Sequence, residues 1–283
     1  MDNRITKERV NIHLEYDWIK YIALLAAAVL LFALLYTTLA PRLKIYEEIK
    51  FLSLTVPVSD TSDSMTGGMK EFFKLKSDED GKDEPVVKDV SMDFIAANPN
   101  DTTFSQLLST KLVSNFDFVI APVSYFINGE LSNAVIKLTD WTYEKDGNKV
   151  PCIDKDADDE GARALGFKDA AQLNLLWRDA VYDAKGNLAV AEGYVGIILN
   201  GLENIQKLFT AIKPLETAEE SGDGETAATD DRYALGILLQ GGNIGAMNST
   251  SKREKRKGID NSVYNEALDA LKYFIKCYSG LEV

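Results

Sequence analysis

A chain of 283 residues with 44 acidic and 31 basic side chains has a formal net charge of -13 and a pI near 4.7. That balance argues against a nucleic-acid protein, which would need a basic face to displace counterions, so no nucleic-acid partner is expected. The content of 46% hydrophobic and 27% charged residues is that of an ordinary globular protein and excludes a disordered or collagenous chain.

The first element is an anchor. From Ile22 to Leu35 the chain is apolar and free of charge, and the run extends to Trp18 and Ala40 with only Lys20 interrupting. At about 1.5 Å per residue it is long enough for a hydrocarbon core of about 30 Å. Trp18, Tyr21 and Tyr36 fall near its ends, where amphipathic rings favour the interface, and Lys20 can snorkel to the headgroups. Pro41 is expected to stop the helix. A cleaved signal peptide using Thr38-Leu39-Ala40 is the rival reading, but the apolar run is longer than a signal's and some seventeen residues precede it. The expected organisation is therefore a short cytoplasmic N-terminus over 1–17, a transmembrane helix over 18–40 and an extracytoplasmic α/β domain over 43–283. Arg4, Lys7, Arg9 and Lys20 before or at the helix start, against Arg42, Lys44 and Lys50 after it, give only a slight bias toward an internal N-terminus.

Beyond a short stalk, Phe51 to Val58 reads as a buried strand. A Ser, Asp and Gly turn region leads into a short helix over Met69 to Lys76, then a solvated loop over Ser77 to Glu84. Val86 to Ala97 holds a second strand centred on Val90 to Ala96. Asp101 or Thr102 is placed to cap a helix over Thr103 to Ser114, whose Phe104, Leu107, Leu108 and Leu112 share one face. Phe116 to Pro122 is a third strand, followed by helix or helical turns through Lys137. Alternation of this kind builds a mainly parallel sheet with flanking helices. Further on, Glu144 to Gly161 is polar, Ala170 to Tyr182 looks helical, and Gly193 to Asn200 is a fourth strand. Glu203 to Ile212 reads as helix, Pro214 to Asp231 as linker, Tyr233 to Gln240 as strand, and Val263 to Tyr278 as an amphipathic helix.

Three of these segments resemble the extracellular solute-binding proteins of ABC importers, of the two-lobed, sugar-binding type. Phe116-Asp-Phe-Val-Ile-Ala-Pro-Val-Ser-Tyr-Phe-Ile-Asn-Gly-Glu-Leu131, continuing to Leu138-Thr-Asp140, is similar to the family's third strand and the helix after it. Gly193 to Asn200 is similar to its hinge strand, and Asn265 to Ile275 to its Ala-x-x-Phe helix. The resemblance implies a binding-protein-like α/β fold with the second lobe reduced. It also implies a sugar or other small solute as ligand and an ABC transporter permease as partner. A structural module that uses the same fold to contact a partner protein or the cell envelope is the alternative.

Catalytic motifs are scarce. The only histidine, His13, precedes the anchor, so the domain after it has no residue for a Ser-His-Asp or Cys-His pair or a histidine zinc site. The expectation is a protein that is not an enzyme and carries no cofactor or metal. Ser249-Thr-Ser-Lys252 has the Ser-x-x-Lys spacing of penicillin-recognising enzymes without their Lys-Thr-Gly partner. Asp154 to Gly161 alternates carboxylates as calcium loops do, but Asp159 and Leu165 stand where an EF-hand needs Gly and Glu, which favours a solvated loop. Gly193-x-x-Gly196 and Gly241-Gly-Asn-Ile-Gly245 lack a phosphate-cradling pattern. The basic run Lys252 to Lys257 suits a solvated loop or a contact with anionic headgroups or wall polymers. Cys152 and Cys277 are too few for a disulfide framework and leave open one pair or two unrelated thiols.

A ligand cleft in such a sheet lies beyond the carboxyl ends of parallel strands. That rule nominates Ser59 and Asp60 after the first strand, Asn98 after the second, and Ser124 and Tyr125 after the third. Trp141, Trp177 and Tyr194 are the candidates for stacking on a sugar face.

Overall fold

A run of helix formers without glycine or proline propagates beyond its apolar centre, and helix α1 accordingly extends over Lys7–Leu39. The computed structural model describes residues 7–39, 43, 47–81, 85–96, 102–112, 116–127, 131–145, 148–183, 185–213, 232–238 and 262–281. Within α1, Trp18–Thr37 is long and apolar enough to cross a membrane, and none of it is buried. The helix starts eleven residues before the expected span, because Lys7 to Asp17 contains nothing that breaks it. Its 33 residues measure about 50 Å, more than one hydrocarbon core. Ala40 and Pro41 lie outside the described residues.

The chain separates into two units, residues 1–43 and 44–283. The second is α/β. In chain order it contains β1 (Glu48–Ser53), α2 (Ser59–Glu79), β2 (Asp89–Phe94), α3 (Thr102–Leu112), β3 (Phe118–Pro122) and α4 (Val123–Ile127). There follow β4 (Thr142–Lys145), β5 (Asn148–Pro151), α5 (Asp159–Ala164), β6 (Leu175–Arg178), β7 (Val181–Tyr182) and β8 (Leu188–Val190). The last elements are β9 (Gly193–Ile198), β10 (Tyr233–Ile237) and α6 (Ser262–Tyr278).

Six strands form one sheet in the order β2-β1-β3-β10-β9-β6. The β1 strand pairs parallel with β2 and β3, while β10 runs antiparallel to β3 and β9, and β6 antiparallel to β9. The sheet is thus mainly parallel in direction, with β10 and β6 reversed. Two hairpins, β4-β5 and β7-β8, stand apart from it.

Alternation sorts the strand residues onto two faces. Ile49 and Phe51 of β1 and Phe118 and Ile120 of β3 pack with Met65, Met69 and Phe73 of α2 and with Leu271 and Phe274 of α6. Phe51 stacks on Phe118 at 4.9 Å and on Phe274 at 5.6 Å between ring centroids. On the other face Leu52, Leu54, Val119 and Ala121 meet Phe104 and Leu108 of α3 and Phe126 of α4. Burying a side chain of this size stabilises the fold by about 1.5–3 kcal/mol.

Helix α2 absorbs the expected turn region and the first residues of the expected loop. Its Ser62, Met65, Met69, Phe73 and Ser77 form one buried stripe, and Gly68 lets α6 approach, since a Cβ there would lie 2.4 Å from the Tyr273 hydroxyl. Tertiary packing outweighs weak propensity here. Lys76 then clasps α6 by donating to Glu266 Oε2 at 3.0 Å and Asp269 Oδ2 at 2.7 Å.

The first strand ends before Pro57, which has no N–H for a sheet ladder. After β3 the helix stops at Ile127, and the chain next touches the sheet as an isolated bridge from Val135 to Leu238. The expected helix over Ala170 to Tyr182 is instead a 3-10 turn over Ala170–Gln172 followed by β6 and β7, because Leu175 to Arg178 finds ladder partners on β9. Likewise, Glu203 to Ile212 holds only a 3-10 turn over Ile205–Lys207. Its Ile205, Leu208, Phe209 and Ile212 are all buried, so hydrophobic spacing alone does not distinguish turns from helix. The expected linker over Pro214 to Asp231 lies outside the described residues, as do the candidates at Gly241 to Gly245, Ser249 to Lys252 and Lys252 to Lys257. Both cysteines are free thiols.

Candidate functional site

The strand order reverses between β1 and β3, since the chain leaves β1 for β2 on one side and returns to β3 on the other. A crevice at such a switch point opens beyond the carboxyl ends of the strands. Ser59 and Asp60 are exposed in the first turn of α2, just past β1, and Ser124 is exposed on α4, just past β3. The cap of α2 is Val58, which makes no side-chain cap hydrogen bond. Tyr125 is turned inward, 8% exposed, with its ring edge-on to Phe104 at 5.8 Å. Asn98 lies outside the described residues.

The backbone at this edge is extensively cross-linked. Leu54 N donates to Ile120 O at 2.7 Å, Ile95 N to Ser53 O at 2.8 Å, and Val123 N to Arg232 O at 2.9 Å. Buried Asn200 joins β10 to the chain after β9, accepting from Tyr233 N at 2.7 Å and donating to Lys213 O at 2.6 Å.

The three aromatic candidates do not converge on that edge. Trp141 is fully buried, so no ring face is open to a ligand, and its indole N–H has no hydrogen-bond partner among the described residues. Trp177 and Tyr194 are cross-strand neighbours on β6 and β9, with rings edge-to-face at 5.0 Å, and Trp177 Nε1 donates to Asp179 Oδ1 at 2.9 Å. Ile197, three residues beyond Tyr194, is level with Leu235 and through it with Ile120. The aromatic pair therefore sits about 10 Å toward the amino ends of β1 and β3.

The acidic segment beside α5 spends its carboxylates locally. Asp154 accepts from Asp156 N at 3.0 Å, Asp158 caps α5 through Gly161 N at 2.9 Å, and Asp159 accepts from Ala170 N at 2.9 Å. Among the described residues no group of three or more His, Cys, Asp or Glu is arranged to hold a metal ion. An open groove of about 460 Å³ runs here between Asp154, Asp158 and Lys272, with Cys152 in its wall. Burial pushes the Cys152 thiol up to about 12, against the pull of Lys272, which favours its protonated form.

A buried polar group with donors to spare among the described residues is absent from the sequence-derived candidates. Arg178, the last residue of β6, is 4% exposed and forms part of a groove of about 400 Å³ with Ser132, Asn133, Lys137, Asp140 and Ala191. Its guanidinium donates to the carbonyls of Ser132 and, at 3.3 Å, Ala191, while its Nε has no acceptor among the described residues. Burial pulls its pKa below the ordinary arginine value, yet the group stays charged at accessible pH. Across the groove the Lys137 ammonium lies 3.8 Å from Asp140 Oδ2. A lone arginine in a segment with helical character carries no motif, and only strand pairing with Gly193 brings it beside the 131–140 segment.

Comparison of the chain with protein-family models, with curated proteins and with solved structures finds no match in any of the three.

Proposed function

We propose that this chain is a membrane-tethered, non-catalytic binding domain, a reduced relative of the extracellular solute-binding proteins, held outside the cytoplasm by α1. The observation that carries the reading is the order of its parts. An exposed apolar span, Trp18–Thr37, precedes one α/β unit whose β2-β1-β3 half contains a topological switch point. Its occupant is a small solute, passed to a permease of the ABC type. Open grooves of a few hundred cubic ångströms and a protonated, buried Cys152 support binding over covalent catalysis.

A second reading, an interaction module contacting a partner protein or the envelope, has an observation of its own. Residues 44–283 cluster as one unit, and among the described residues no second lobe of comparable size stands ready to close over a ligand. Thermal unfolding of the full chain in detergent micelles separates the two, using sugars, oligosaccharides, amino acids and divalent metals as additives. A ligand at about a hundred times its Kd adds about 2.7 kcal/mol, which moves the melting point by several degrees. A shift with one chemical class supports solute binding and names the solute. No shift with any additive refutes it and leaves the interaction module.

A further inference from the structure

We propose that the groove around Arg178 is a binding site for a small oxyanion, a carboxylate or phosphate group carried by the solute, with Arg178 as its fixed cation and Lys137 as its movable one. The proposal rests on the solute-binding reading for its purpose and places the charged end of the solute at the amino edge of the sheet, away from the switch point.

The first argument is unbalanced charge. A guanidinium has five N–H donors in a planar fork, and here only two backbone carbonyls accept from it. Among the described residues no carboxylate pairs with Arg178, and its Nε has no hydrogen-bond partner. Buried cations are ordinarily matched by an anion, because desolvation otherwise opposes the charged form. Arginine is also the side chain whose geometry fits carboxylate and phosphate by paired hydrogen bonds.

The second argument is the architecture of the groove. One wall is fixed to the sheet by Ile136 N, which donates to Ile237 O at 2.9 Å, and by the Val135–Leu238 bridge. The other is Ala189 to Ala191, and Arg178 reaches both through Ser132 and Ala191. The Lys137 stem lies over Gly193, where a Cβ would come within 2.8 Å of Lys137 Cδ, and Gly193 has φ +150. That contact fixes the stem and leaves the partly exposed ammonium beyond it able to turn. Its pairing with Asp140 is long, with side chains 32% and 57% exposed, so an incoming anion replaces a weak partner. Among the described lining residues two cations stand against one carboxylate, on a chain of net charge -13.

The test uses the full chain in detergent micelles, titrated with sodium phosphate and with sodium succinate against sodium chloride at matched ionic strength, and with neutral sugars in parallel. The expected result is a saturable rise in melting point with at least one oxyanion beyond the chloride control. Phosphate alone or succinate alone identifies which oxyanion the solute carries. Lys137→Ala is expected to weaken apparent affinity about tenfold, and Arg178→Gln to abolish the response. Asp140→Asn, which removes the competing carboxylate, is expected to tighten binding about threefold. If Arg178→Gln does not fold, the opposite responses of Lys137→Ala and Asp140→Asn decide the matter. Oxyanion shifts no larger than chloride, or shifts unchanged in Lys137→Ala and Asp140→Asn, overturn the site. A shift with a neutral sugar and none with oxyanions overturns it while leaving solute binding intact, whereas silence with every additive overturns both.

Discussion

The two edges of the central sheet handle polar groups in opposite ways. At the carboxyl edge, where fold rules place a ligand, Leu54, Ile95, Val123 and Tyr233 direct their N–H groups to protein acceptors, and Asn200 bridges two chain segments. The amino edge buries an arginine with no anionic partner among the described residues. A buried donor that is already bonded adds stability, and one left unbonded retains free energy for a ligand to recover. Position in a topology thus indicates where a crevice can form, but unspent hydrogen-bonding capacity indicates where binding is favoured.

The largest expected effect tests the closed edge. Asn200→Ala strands the N–H of Tyr233 and the carbonyl of Lys213, and should cost about 2–4 kcal/mol in urea unfolding. A loss under about 1 kcal/mol would mean that this edge is not held by those bonds. Gly193→Ala places a side chain at φ +150 against Lys137 and should cost about 1–2 kcal/mol. Unlike Asn200→Ala, it should also weaken the oxyanion response, and an unchanged response would detach Lys137 from the site.

Arg178→Met should change stability by about 1 kcal/mol or less, because relief from burying a lone charge offsets the two lost carbonyl bonds. A loss above about 3 kcal/mol would make Arg178 a structural clamp and erase the contrast between the edges. The smallest effect is a pH dependence at the α2–α6 clasp, away from either edge's polar groups. Burial lowers the Lys76 pKa, but the hydrogen bonds it donates to Asp269 and Glu266 and the charges of those carboxylates outweigh it, so the folded value is raised above 10.5. Stability from Lys76 is therefore fully present below about pH 10.5 and lost as pH rises through the folded value. Lys76→Met should flatten this alkaline decline in melting point, and an equal decline in the variant would assign it to other groups.

Much of the fold was legible from local pattern. The apolar run from Ile22 to Leu35 announced α1, short apolar runs announced β2, β3, β9 and β10, and α3 and α6 lie within two residues of their expected starts, whereas β1 at Glu48–Ser53 shares only Phe51 to Ser53 with its expected range. What failed was decided by distant partners. Leu175 to Arg178 became strand because β9 lay beside it, and Ser59 to Gly68 became helix because α6 packed on its face. Of the candidate site, Ser59, Asp60 and Ser124 fell at the expected edge, Trp177 met Tyr194 elsewhere, and Trp141 went into the core. An indole gives the same signal in sequence whether it stacks on a ligand or on the protein's own side chains.

By itself the sequence determined the charge balance, the apolar helix, the absence of histidine from the domain after it, and the alternation of strands and helices over its first half. These depend on composition and on periodicity over a few neighbouring residues. Only the tertiary structure decided the reversal of β10 and β6 within the sheet, the separation of the two edges, and the placing of Arg178 beside Lys137. Residues 137 and 178 are far apart in the chain, and strand pairing together with the burial of both sheet faces is what brings them to one groove.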